Sequence, residues 1–572
     1  MKRLLGFLKD YRKECILAPL FKMLEAIFEL FVPLVMASIV DKGIAASDTG
    51  HIWRMCLVLL LLAAVGLVSS VTAQYFAAKA AVGFSTKLRH SVFEHIGKLS
   101  YSQIDRLKTP TLITRMTSDI NQAQAGVNMF LRLFLRSPFI VFGAMIMAFT
   151  VNAREALIFV VTIPALTSVV VGIMALSMPL YKKVQQRLDA VLDRTGENLE
   201  GARVIRAFRN ERSELEAFTR ENDSLNLIQR MVGRISALLN PVTFIIINAA
   251  TIILLYTGAV RVDAAVITRG ELIALVNYMS QILVELIKLA NLIVTISRAL
   301  ACADRVADIL GITPGMPDGK DPVPGAMPGI PAVEFDDVSL TYTEGADESL
   351  SGISFKLMPG ESLGIIGGTG SGKSSVINLI PRFYDATKGR IKIYGKDITG
   401  ISLDSLRSSI GIVPQNAVLF SGTVADNLRW GKKDATEDEM KEALKTAQAY
   451  DFVMNDPKGL SRQVSEGGKN LSGGQRQRLT IARALIMKPG ILILDDSASA
   501  LDMATDAKLR RAIASFEGDP SVFIVSQRAS SVMGCDRIMV MDNGKIAAIG
   551  THDELLSNCG IYREIYETQF SA

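Results

Sequence analysis

Six apolar stretches, each near the roughly 20 residues that a helix needs to cross a bilayer, fall at about 16–40, 55–78, 129–151, 156–180, 238–260 and 272–296. They limit the fold more than any other feature. Lipid offers no hydrogen bonds, so each run must satisfy its backbone internally and is expected as a helix. All six lie in the first part of a 572-residue chain, and the remainder has the mixed composition of a soluble α/β protein. A chain of this length is expected to hold several domains. The stretch from Gly311 to Pro331 is rich in Pro and Gly and reads as an exposed connector. The expected organisation is a membrane domain over 1–310, a linker over 311–331 and a soluble domain over 332–572.

Charge orients the spans. The start, Met1 to Lys13, is short, basic and amphipathic; it suits a helix on the inner membrane face rather than a cleavable leader. The segment from Lys79 to Asn128 carries Lys87, Arg89, Lys98, Arg106, Lys108 and Arg115, and Tyr181–Ala237 is richer still in Arg. Basic connections stay in the cytoplasm. The short ones near Asp41–Arg54, Asn152–Glu155 and Arg261–Glu271 are then external, and six crossings leave both termini inside. Helical spacing at Val184, Leu188, Val191, Leu192 and Leu199 extends the fourth span well into the cytoplasm. A net charge of +5 is too small to suggest nucleic acid, and the five cysteines and four histidines show no metal-ligand spacing.

Some spans carry ionisable groups: Lys22, Glu25 and Glu29 in the first, Glu285 and Lys288 in the sixth. Such residues face a cavity or a partner. Ion pairing that fixes helix packing accounts for the Lys–Glu neighbours, whereas Glu29 lacks a cation one turn further on and is the better cavity candidate. Pro33, Pro138, Pro164, Pro179 and Pro241 either kink spans or mark their ends. Met and aromatic side chains such as Phe28, Phe31, Met129 and Met279 suit either an adaptable apolar pocket or a lipid-facing surface.

The soluble half contains a loop with a definite chemistry. An apolar strand, Ser362 to Ile366, runs into Gly367-Gly368-Thr369-Gly370-Ser371-Gly372-Lys373-Ser374 and then into a helix beginning at Ser375. This is the P-loop pattern: glycines let backbone N–H groups turn toward a polyphosphate, Lys373 reaches the β/γ-phosphates, and the Ser374 hydroxyl ligates Mg²⁺. Further on, Ile491-Leu492-Ile493-Leu494-Asp495 is an apolar strand ending in a carboxylate placed to hold Mg²⁺. Between them fall Gln415 after one strand and Leu471-Ser472-Gly473-Gly474-Gln475 before a helix; Ser499-Ala500-Leu501-Asp502 and a strand ending at Ser526-Gln527 follow.

In this order the motifs resemble the ATP-binding cassette (ABC) family, and six spans fused to one cassette resemble an ABC exporter half-transporter. The resemblance implies an α-helical six-span transmembrane domain of the ABC exporter type I fold, followed by an α/β P-loop nucleotide-binding domain, with ATP and Mg²⁺ as cofactors. It implies that Tyr342 stacks on adenine, that Gly367 through Ser375 cradle the phosphates, and that Ser374, Gln415 and Asp495 serve the metal. It also implies that Ser472, Gly473, Gly474 and Gln475 clasp ATP bound to an opposite subunit, and that Asp502 lies at the dimer interface. Segments near Thr109–Arg115 and Arg209–Phe218 are expected as the coupling helices seated on the cassettes.

Two positions depart from the family. The usual catalytic Glu is Asp496, and the usual switch His is Gln527. Asp has a shorter stem, and Gln carries no positive charge. Together they imply a site that binds ATP but hydrolyses it poorly, as in bacterial heterodimeric multidrug exporters, where a partner half-transporter with intact Glu and His supplies the working site. The expectation is a heterodimeric exporter of small hydrophobic drugs or lipid-like compounds in the cell membrane. The alternatives are an ATP-gated regulatory or channel-like subunit, or a homodimeric lipid or peptide exporter.

Overall fold

The structure, a computed structural model, describes residues 4–343, 345–497 and 499–570; Met1, Lys2 and Arg3 of the basic start lie outside them. The chain divides into two compact units, Met1–Gly97 with Thr109–Ile312 and Lys98–Lys108 with Thr313–Ala572.

The first unit is helical. Six long helices, Leu4–Ile44, Thr49–Lys98, Thr109–Val151, Ala153–Glu200, Glu211–Asp263 and Arg269–Gly311, are each long and apolar enough to cross a membrane. All run well past their apolar stretches, and the periodic segment Val184–Leu199 is helical as its spacing predicts. Sharp stops come from capping. The Asn152 side chain accepts from the N–H groups of Arg154 and Glu155, so a single residue separates the third and fourth helices. Thr268 and Glu271 form a reciprocal capping box that starts the sixth. Pro138 and Pro241 sit in the first turns of the regular segments Arg136–Val151 and Leu239–Asp263, where a missing N–H costs little, while Pro33, Pro164 and Pro179 lie inside helices. Small residues allow close helix approach: a Cβ on Gly258 would lie 2.3 Å from Leu272.

The charged span residues pair across helices. Glu29 does have a cation, supplied from a different helix: Arg136 donates to Glu29 Oε2 at 2.6 Å and to Glu285 Oε1 at 2.8 Å. Lys22 pairs with Glu25 at 2.5 Å and Lys288 with Glu285 at 2.8 Å.

The second unit holds β1 (Val333–Leu340), β2 (Leu350–Leu357), β3 (Ser362–Gly367), β4 (Lys388–Ile393), β5 (Lys396–Asp397), β6 (Ile410–Val413), β7 (Gly422–Thr423), β8 (Gln463–Val464), β9 (Ile491–Asp495), β10 (Ser521–Val525), β11 (Arg537–Asp542) and β12 (Lys545–Gly550). An antiparallel sheet runs β2-β1-β4-β5, and β7 pairs with β8. The main sheet runs β12-β11-β3-β10-β9-β6; its five strands from β11 to β6 are parallel, and only β12 runs against them. The buried faces of β3, β9 and β10 pack Ile365, Ile493 and Phe523 into one core with Val376 and Ile377 of the following helix. Parallel strands put their carboxyl ends on one edge, the usual seat of ligands in such sheets. Here that edge carries Gly367, Asp495 and Val525.

The unit also includes a short helix from the other half of the sequence, Tyr101–Leu107. A Ser100–Gln103 capping box begins it, and Lys108, at φ 61°, ends it. In the first long connection Tyr101–Leu107 is followed by a helical turn, Thr109–Thr114, inside the segment expected from sequence, and in the second the short helix Ala202–Ala207 lies just before the expected one. Within the unit Tyr101 packs on Phe383 with ring centroids 4.6 Å apart, and the Tyr384 hydroxyl donates to Asp105 at 2.7 Å.

Candidate nucleotide site

The loop after β3 turns through two left-handed glycines, Gly370 at φ 81° and Gly372 at φ 96°, and a Cβ on Gly372 would lie 2.7 Å from Leu350. That geometry brings the chain straight into the helix Lys373–Leu379. Lys373 is buried at the turn, and its ammonium donates to the carbonyls of Gly367 at 2.9 Å and Gly368 at 2.6 Å. A carbonyl partner is exchangeable, so the same group can turn to a phosphate.

Around this loop lies a cavity of about 710 Å³, ample for a nucleoside triphosphate. Thr369, Gly370, Gly372, Lys373, Ser374 and Ser375 form one wall. Opposite them stand Gln415, Asp495, Asp496 and Gln527, from the ends of β6, β9 and β10. Four segments distant in sequence thus meet at one sheet edge. Ser374 Oγ donates to Asp495 Oδ1 at 3.2 Å, and Gln415 Nε2 donates to Asp496 Oδ2 at 3.4 Å. Asp496 itself sits at φ 43°, a region Asp tolerates better than most residues, with its carbonyl accepting from the Ser499 N–H and hydroxyl.

The electrostatics follow from enclosure. Burial raises the Asp495 carboxyl above the usual range, and the neighbouring Asp496 charge adds to this, while the Ser374 bond and Lys373 oppose it. Burial raises Asp496 too, against Arg528, Lys373 and Gln415. Burial lowers Lys373, against the pull of both aspartates. A cation and two carboxylates held in a poorly solvated pocket are primed for a ligand bearing several negative charges together with a counter-ion.

Tyr342 stands beside the cavity rather than in its wall. It is 40% exposed; its hydroxyl donates to Ser375 at 2.9 Å and its ring meets Tyr384 edge-on at 4.9 Å. Its free face is available for stacking. Ser472, Gly473, Gly474 and Gln475 do not line the cavity. Ser472 and Gln475 instead form the capping box of the helix Gly473–Leu485, whose amino end is exposed. Asp502 likewise caps the helix Met503–Ala514.

Two supporting residues carry no sequence signal. Arg528 is the cation that most opposes the rise of the Asp496 carboxyl, and it donates to the Ser499 carbonyl at 3.4 Å. Gln569, near the end of the helix Gly560–Phe570, grips the loop after β10 with both ends of its amide. Its Nε2 donates to the Gln527 carbonyl and its Oε1 accepts from the Ala529 N–H, each at 2.8 Å.

The chain matches the model of the ABC transporter transmembrane region over residues 15–286 and the ABC transporter model over 350–499. It is 37% identical over 569 residues to an uncharacterized ABC transporter ATP-binding protein of Mycobacterium tuberculosis, covering 98% of this chain and 97% of that one. The chain belongs to the ABC transporter family. A putative multidrug export ATP-binding/permease protein of Bacillus subtilis is 31% identical over 583 residues, covering 100% of this chain and 99% of that protein. The ATP-dependent lipid A-core flippase of Desulfotalea psychrophila is 34% identical over 481 residues, 84% of each. A bacterial Atm1-family ABC exporter solved with ATP bound superposes with a TM-score of 0.80 at 25% identity, over 98% of this chain and 99% of that one. This ABC protein is an exporter half-transporter: six membrane helices followed by a cassette in one multi-pass chain, in a family that typically dimerises and couples ATP hydrolysis to transport.

Proposed function

We propose that this chain is one subunit of a heterodimeric exporter, with an impaired hydrolytic site of its own and a signature helix, Gly473–Leu485 with Ser472 at its cap, that completes a working site on its partner. The observation that carries the reading is Asp496 and Gln527 together in the cavity wall, where the family usually has Glu and His. Asp496 is one methylene short. A water held by it sits roughly 1 Å from the productive place, and such a misplacement costs on the order of 10²-fold in rate. Gln527 can donate a hydrogen bond but cannot bring positive charge to the developing transition state. None of the four histidines lines the cavity.

Binding, by contrast, is fully equipped. Gly367 to Ser375 cradle the phosphates of ATP, Lys373 pairs with the β/γ-phosphates, and Tyr342 stacks on the base. The oxygens of Ser374, Asp495 and Gln415 suit Mg²⁺, a hard ion that takes oxygen ligands; when bound it neutralises charge on the phosphates. Ser472, Gly473 and Gly474 stand at an exposed helix end, where first-turn N–H groups such as those of Gly473 and Gly474 lack an intrahelical partner, and are suited to the γ-phosphate of a nucleotide on the other subunit. In a homodimer both sites are short of a base. In a heterodimer one is complete. The basic connections between spans support a cytoplasmic cassette and N-terminus in the cell membrane, and the kinship with drug and lipid exporters supports small hydrophobic or lipid-like cargo.

ATP hydrolysis decides the matter, measured in lipid for this chain alone and for the chain co-purified with a half-transporter bearing Glu and His. The expected result is little activity alone and strong activity in the pair. Strong hydrolysis by the chain alone would replace the heterodimer with a homodimer.

A further inference from the structure

The first and sixth membrane helices line a half-open cavity of about 440 Å³ within the first unit. The first helix gives it Glu29, Val32, Pro33 and Met36, a single face at i, i+3, i+4 and i+7. The sixth gives Asn277, Gln281, Val284 and Lys288 among others. Most of the apolar lining comes from the first helix and most of the polar lining from the sixth, with Glu29 and Val284 as the exceptions, and such a mixed wall suits an amphiphile.

The charges around it balance. Lys22, Arg136 and Lys288 stand against Glu25, Glu29 and Glu285, and every one of the six has a partner of opposite sign. Glu285 is sealed in, held by Arg136, Lys288 and the Ser137 hydroxyl at 2.8 Å each. Three ionic residues, Glu29, Glu285 and Lys288, line the cavity among the described residues, and of these Glu29 and Lys288 are the more open. Glu29 is 40% and Lys288 44% exposed, whereas the side chains of Lys22, Glu25, Arg136 and Glu285 are at most 18% exposed. A further group there is unmatched: Gln281 Oε1 is buried and has no hydrogen-bond partner among the described residues. A buried acceptor of this kind calls for a donor.

A ligand of single sign would leave one uncompensated charge in a poorly polarisable interior, which is costly. A zwitterion would not. We propose that this cavity binds zwitterionic amphiphiles with a primary ammonium group. The ammonium lies between Glu29 and Gln281 Oε1, the anionic group faces Lys288, and the alkyl portion rests on Val32, Met36 and Val284. A quaternary ammonium has no N–H to give Gln281 and binds more weakly. The inference rests on the export reading only in treating this ligand as cargo.

The test uses the full chain in non-ionic detergent, without ATP, and titrates four amphiphiles with one alkyl length. These are dodecylphosphoethanolamine, dodecylphosphocholine, dodecylammonium and dodecylphosphate. Phosphoethanolamine is expected to bind tightest and the two single-charge amphiphiles about tenfold or more weakly. Lys288→Gln makes the surroundings net negative and is expected to bring dodecylammonium to the top. Glu285 keeps Arg136 and Ser137 in that variant, so the fold is preserved. Gln281→Leu should abolish the preference of ethanolamine over choline and leave the preference for zwitterions. Equal affinity for all four, or an unchanged order in Lys288→Gln, overturns the proposal. ATP-driven uptake into inside-out vesicles separates the two readings. Headgroup selectivity without uptake removes export alone, and uptake blind to headgroup removes the zwitterion site alone.

Discussion

On the proposed reading, a single methylene at Asp496 and a single positive charge at Gln527 separate this edge from a fully active one. The double change Asp496→Glu/Gln527→His is therefore expected to raise phosphate release by the isolated chain about 10- to 100-fold. An unchanged rate would place the defect elsewhere in the site. In the membrane half the decisive residue is Arg136. Its replacement by Met leaves Glu285 with less compensation and Glu29 with none, a loss expected at about 3–5 kcal/mol. The thermal midpoint of the detergent-solubilised chain reads it, and adding Glu285→Gln to Arg136→Met should recover part of the loss. These two places were unequally legible. Lys373, Asp495, Asp496 and Gln415 occupy short motifs whose spacing states their chemistry. Arg136 sits at the start of an apolar segment, and its partners Glu29 and Glu285 lie 107 and 149 residues away. Only packing shows that its guanidinium turns inward.

Among the elements, the terminal helix Gly560–Phe570 has the least visible role. Through Gln569 it fixes the loop that carries Gln527. Gln569→Ala in the Asp496→Glu/Gln527→His chain is expected to lower kcat about 3- to 10-fold while KM for ATP stays within about twofold. Gln569→Glu keeps the acceptor for Ala529 and loses the donor to Gln527, so its kcat should fall between the two. A KM that moves as far as kcat would make the helix a general support for the pocket. The amide grips backbone atoms, which have no side-chain identity to show in a sequence, so no motif could have revealed it. The long membrane helices were easier. Apolar runs located all six, but their length beyond the bilayer was legible only where periodicity persisted, as at Val184–Leu199. The short helices Tyr101–Leu107 and Ala202–Ala207 depend on local devices, the Ser100 cap above all.

For the whole assembly, the proposed division of labour makes an asymmetric prediction. Gly473→Asp puts a carboxylate at the exposed end of the signature helix, and no atom lies within 4 Å of its new Cβ. The fold is expected to tolerate it, while hydrolysis by the pair should fall by about 100-fold or more as like charges meet. Asp496→Asn, at this chain's own base position, should change the pair's rate by about twofold or less. Equal losses from both would mean that the two sites share the work evenly.

The inclusion of Lys98–Lys108 in the second unit also bears on how the protein is made. Asp105 leaves the ribosome 279 residues before Tyr384, its hydrogen-bond partner. At roughly 5–20 residues per second, that interval is on the order of 15 to 55 s. Throughout it the short helix must wait without its aromatic counterpart. A polypeptide of residues 313–572 made separately lacks that helix altogether and presents Phe383 and Tyr384 uncovered. The cassette is completed by a piece of chain synthesised long before it.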